Sequence, residues 1–164
     1  MADAWPSLTL LHLRQAFDRD VALVRRPSRD SGEDEHAALA RFLVVRACGY
    51  LEQVSEESCK AYIASKSSPQ VAAYGNSWFG RGANPTPANL VSLVQRFDPG
   101  WADDLQALFD ADDGVLSREI YFLVDRRNKI AHGVSESTGA GKALGLAEHS
   151  QTVAEWFLVR FDPR

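Results

Sequence analysis

The residues best equipped for chemistry lie together in Arg126-Arg127-Asn128-Lys129-Ile130-Ala131-His132-Gly133. At helical spacing Asn128 and His132 are four apart and share a face. Arg127 and His132 are five apart, about 140° around the axis, so they flank one edge rather than stack. Arg127 can hold a phosphate and stabilise charge gathering on its oxygens. His132 can take a proton from a hydroxyl nucleophile or give one to a leaving oxygen, because an imidazole ordinarily titrates near neutrality. Asn128 can orient His132 or donate to the phosphate. With no metal-ligand spacing in the chain, this set suits phosphate chemistry in which the substrate carries its own nucleophile, as RNA does in its 2′-hydroxyl. Arg126 and Lys129 support the site by making this helix end cationic, which also complements the helix dipole. One His can hardly serve as base and acid at once.

The element that must position these groups runs from Ser117 to Gly133. Ile120, Leu123, Val124 and Ile130, with Ala131, fall on or beside one apolar stripe and predict a core-facing helix. Gly133 directly follows it, where a left-handed cap is expected. Taken alone the Arg-Asn-x-x-x-His pattern is weak, because the chain has 14 Arg and 4 His.

The context strengthens it. RRNKIAHG resembles the ribonuclease motif of the HEPN superfamily, specifically the branch often called RiboL-PSP-HEPN. FLVVRACGYLEQ (Phe42–Gln53), NSWFGRGANPTPANL (Asn76–Leu90) and FDPGW (Phe97–Trp101) also resemble segments of that branch. The resemblance implies two protomers packed through their motif helices, each supplying an Arg and a His to a composite site. It implies an endoribonuclease that leaves 2′,3′-cyclic phosphate and 5′-hydroxyl ends without a metal or other cofactor. It further implies a toxin or antiviral defence effector, with a protein antitoxin or regulator as a possible partner. An acidic residue is expected near the motif helix, and Glu52 stands at that place, either orienting Arg127 or remaining a plain surface carboxylate. Some members have lost catalysis and act as dimeric scaffolds, antitoxin partners or nucleotide binders. In those the Arg or the His is typically replaced, and here both are present.

The remaining chain predicts an all-α bundle of four to five main helices in one domain over 1–164, with the motif helix central. One helix is expected from Ser7 to Arg25, stopped by Pro27, and a long one from about Glu33 to Ser65. Ser31 is its expected cap, and Phe42, Val45 and Leu51 widen its apolar stripe. Arg46 reads as a salt-bridge or rim residue. Lys66 to Pro87 reads as one long loop. In it Trp78 and Phe79 either pack as a lid or, with Arg81, form a base-stacking platform for RNA. A third helix starts at Thr86-Pro87, a short one covers Trp101–Phe109, and Asp110–Gly114 is turn chemistry rather than a calcium loop. Val134 to Gly145 reads as a flexible connection without P-loop spacing, before a last helix over about Leu146–Phe161 with His149 as a core or interface histidine.

The totals set bounds. A net charge of −4 argues against non-specific, electrostatically driven nucleic-acid binding. No apolar run is long enough to span a membrane, and the N-terminal residues lack a signal-peptide pattern. Cys48 and Cys59 are about 16 Å apart along one helix, too far to bridge, so a reducing cytoplasm is expected.

Overall fold

The computed structural model describes residues 5–26, 30, 32–80, 82–134 and 137–164. Six helices follow one another, and no strand occurs among the described residues: α1 (Leu8–Arg25), α2 (Glu33–Lys66), α3 (Pro69–Asn76), α4 (Pro87–Gln95), α5 (Pro99–Ala131) and α6 (Ala140–Arg160). The protein is an all-α bundle. α2 is its hub, packing most extensively on α6, then on α1, α5 and α3. The motif helix, expected to be central, instead runs from the core at Ile120 and Leu123 to an exposed end at Ala131 and His132.

Local signals set most helix starts. Ser7 caps α1 by accepting from the Leu10 amide. Thr86 does the same for α4 through Asn89, and Asp98 for α5 through Trp101, each followed by Pro at the first helical position. Gly32 begins α2 without a side-chain cap, and Glu33, Asp34 and Glu35 complement its dipole. The expected cap Ser31 and stop Pro27 lie outside the described residues.

α5 is broken where turn chemistry was expected. Asp112, Asp113 and Gly114 have φ of 51°, 56° and 72°, three consecutive left-handed residues, of which two carry a Cβ and are strained. Arg118 Nη1 donates to the Asp113 carbonyl and braces the bend.

The core is built from Phe17, Leu43, Leu51, Leu105, Phe109, Ile120, Leu123, Leu146 and Phe157, all fully buried. Phe17 stacks on Tyr50 at 4.3 Å between α1 and α2. Arg46 bridges the same two helices through Asp20 at 2.6 Å, which settles it as a salt-bridge residue.

Four expectations need correction. Lys66–Pro87 is not one loop: Ser68 and Pro69 start α3, by the same signal that starts α4. The connection after the motif ends at Gly139, because Ala140–Gly145 is the first part of α6. Gly141 and Gly145 weaken that helix by about 1 kcal/mol each relative to Ala. The burial of Ala143 and Leu146, and the contact of Lys142 with Glu119 at 2.5 Å, offset this. α5 begins at Pro99, two residues before the expected start, since Asp98 rather than a later residue caps it. Phe42 and Val45 do not widen the α2 core stripe. They are 42 % and 38 % exposed, while Leu43, Ala47, Leu51 and Val54 fill it.

Candidate active site around Arg127

Three segments converge on one guanidinium. Arg127, late in α5, places Nη1 3.0 Å from Asn128 Oδ1 and 3.2 Å from Asn84 Oδ1. Its Nη2 lies 3.8 Å from Glu52 Oε2 on α2. All three contacts leave the fork one-third exposed at the side chain, so it is held in place yet still open to a ligand. Glu52 thus faces Arg127 as an ion-pair partner, at a distance beyond that of a hydrogen bond. Asn128 accepts from Arg127 through Oδ1, which leaves its Nδ2 as a donor.

Asn84 is the residue that sequence reasoning did not single out. Its carbonyl accepts from the Thr86 amide at 2.8 Å and from Asn89 Nδ2 at 2.9 Å. These bonds pin its backbone to the first turn of α4 and leave its side chain to reach α5. The local signal was Asn-Pro-Thr-Pro, an extended residue before a capped helix. Its partner, however, lies 43 residues away.

His132 is the C-cap of α5. Gly133 adopts φ 73°, its amide donates to the Ile130 carbonyl, and the Val134 amide donates to the Lys129 carbonyl. These two bonds form the Schellman closure expected of Gly133. The imidazole is exposed, about 140° around the helix from Arg127.

The supporting cations take other contacts. Lys129 pairs with Asp125 at 3.0 Å. Arg126 lies over the Phe122 ring at 4.6 Å, with Lys142 4.7 Å from the same ring. Trp78 is half exposed and meets Tyr74 edge-on at 6.3 Å, whereas Phe79 packs against the core. Arg81 lies outside the described residues. His149 is half-buried on α6, away from the motif.

Burial governs the titration of this neighbourhood. It pushes the Glu52 carboxyl above its ordinary value, against the pull of Arg127 and with some help from Glu56. It pushes the Cys48 thiol up to about 11, again against Arg127. A buried thiol, a half-buried carboxyl and the guanidinium thus form one layer, with the guanidinium outermost. Among the described residues, no group of three or more His, Cys, Asp or Glu is placed to hold a metal ion, and no helix is long and apolar enough to cross a membrane.

No family model, no curated protein and no solved structure matches this chain.

Proposed function

We propose that the chain is a HEPN-type endoribonuclease. It cleaves RNA by attack of the 2′-hydroxyl, leaves 2′,3′-cyclic phosphate and 5′-hydroxyl ends, and uses no metal. The observation that carries this reading is the held guanidinium: Arg127 is fixed by Glu52, Asn84 and Asn128 and still faces solvent. A fork so preorganised suits bidentate binding of a phosphate, with little reorganisation as charge builds on its oxygens. His132, whose imidazole is exposed at the capped end of α5, supplies the proton-transfer group. The working site takes one set from each protomer of a homodimer, one His as base and the other as acid.

A cytoplasmic toxin or defence effector, restrained by an antitoxin or regulator, is the setting this reading suits. The two free, buried thiols fit a reducing compartment. A second reading, a non-catalytic dimeric scaffold or antitoxin partner, is favoured by the engagement of Arg127 with Glu52 inside the protomer. Purified protein incubated with mixed RNAs in EDTA, followed by end-group analysis, separates the two. Cyclic phosphate and 5′-hydroxyl ends are expected, and intact RNA at stoichiometric enzyme would favour the scaffold.

A further inference from the structure

Glu52 and Asn84, the two residues that hold Arg127 from outside its own helix, also line a cavity of about 600 Å³. The cavity lies among α2, α3, α4 and the segment before α4. Ile63, Phe79, Pro85, Leu90, Leu93 and Phe97 supply apolar parts of its wall. Its volume falls within the range of small-molecule sites.

Glu56 lies one turn beyond Glu52 on the same face of α2 and also lines the cavity. Its contacts are long. Oε1 accepts from the Gly80 amide at 3.4 Å, and Oε2 is 3.6 Å from Lys60, which sits closer to Glu57 at 2.9 Å. Bonds of that length leave both oxygens with acceptor capacity.

We propose that this cavity is a guanine pocket: the Glu56 carboxylate accepts from the adjacent N1–H and N2–H groups, Phe79 and Trp78 lie against the ring, and the attached phosphate reaches Arg127. That the pocket selects RNA for cleavage rests on the ribonuclease reading; that it binds guanine does not.

The choice of base follows from donor patterns. A carboxylate offers two acceptors side by side and no donor. Guanine alone among the four bases presents two adjacent donors on its Watson–Crick edge, so the pair is bidentate and charge-assisted. Adenine and cytosine place a ring acceptor beside their amino group, and uracil flanks its N–H with two carbonyls, so each meets the carboxylate with a repulsive lone pair. Charge sets the orientation. Two carboxylates on the α2 wall repel a phosphate, while two cations can draw it: Arg96, at the end of α4, lines the wall itself, and Arg127 lies beyond Glu52 and Asn84, which connect the wall to it. Stacking on an aromatic wall with hydrogen bonds to an unpaired base edge is the usual way single-stranded RNA is read.

The test titrates guanosine 3′-monophosphate, and its adenosine, cytidine, uridine and inosine counterparts, into the full chain. Tryptophan fluorescence reports binding, since Trp78 is in the wall, and calorimetry confirms it. Guanosine is expected to bind roughly tenfold tighter than adenosine, cytidine or uridine, with inosine between, because it keeps N1–H and lacks the amino group. Glu56→Gln keeps the size of the side chain and is expected to bring guanosine to within about threefold of the rest. Circular dichroism of that variant should match the parent. Equal binding of all five, no saturable binding, or a preference that survives Glu56→Gln would overturn the pocket. Cleavage sites are mapped in parallel. Cleavage with no guanine at a fixed position from the cut overturns the pocket and leaves the ribonuclease reading. Guanine-selective binding without cleavage overturns that reading and leaves the pocket.

Discussion

Asn84 and Arg127, 43 residues apart in the chain, meet through a single hydrogen bond of 3.2 Å between Oδ1 and Nη1. The bond ties the start of α4 to the end of α5 and joins the cavity wall to the guanidinium. Asn84→Ala is expected to lower RNA cleavage about tenfold, the order of one hydrogen bond to a charged group. Thermal stability should change little, since the Asn84 backbone contacts that cap α4 remain. Asn128→Ala removes the bond from within α5 and should act in the same direction. A full loss of activity in either would mean that the amide does more than hold Arg127.

His132→Ala and Arg127→Ala are each expected to reduce cleavage by about 10²-fold or more while leaving the fold and dimer intact. His132 is exposed, so its loss should change stability by no more than about 0.5 kcal/mol. Removing Arg127 loses a partly exposed ion pair worth at most about 1 kcal/mol. A mixture of the two variants tests the composite site. If an Arg from one chain serves with a His from the other, the heterodimer regains part of the rate. Full activity of His132→Ala in EDTA would falsify the nuclease assignment.

Glu52 makes stability depend on pH. Its carboxyl is raised above the ordinary 4.5 by burial, then opposed by Arg127 and supported by Glu56. The folded state therefore holds the Glu52 proton at pH values where the unfolded chain has released it. Its contribution to stability falls as pH rises from 4.5 through the raised folded value. Glu52→Gln should flatten that part of the curve, measured as melting temperature against pH. The same variant should lose about tenfold in cleavage at neutral pH, because its amide no longer draws the guanidinium as a carboxylate does. An unchanged pH profile would show that burial of Glu52 has no energetic weight.

The thiols offer an independent check of packing. Cys48 and Cys59 are fully buried, and burial raises both thiols, Cys48 to about 11. At pH 8 a thiol reagent should modify neither in the native protein and both after denaturation. Rapid native labelling would show that the α2 core opens more readily than its packing implies.

Much of this architecture was legible locally. Ser7, Thr86-Pro87 and Gly133 announced helix ends because caps act over three or four residues. The apolar period of α2 and α5 identified Leu51, Ile120 and Leu123 for the same reason. α3 escaped notice because eight residues with one buried side chain, Ala72, carry almost no periodic signal. The start of α6 was hidden by two glycines and is decided by tertiary burial of Ala143 and by Glu119, which lies on another helix. Glu52 was legible as a site residue only through the resemblance. Asn84 was not legible, since turn asparagines are common and nothing near it names Arg127 as the partner. The outward placement of Phe42 and Val45 was likewise beyond reach, because periodicity locates an apolar face without saying how wide the neighbouring helices will cover it.

The pairing of α2 chiefly with α6 has a consequence during synthesis. α2 ends at Lys66 and α6 begins only at Ala140, on the order of 4–15 s later at ordinary elongation rates. Through that interval the longest apolar surface of the molecule lacks its principal cover. Arg127 and His132 emerge within the same interval, on a helix not yet backed by a finished core. The nascent chain thus exposes that face until α6 emerges, and a message truncated before Ala140 would release a fragment with it uncovered.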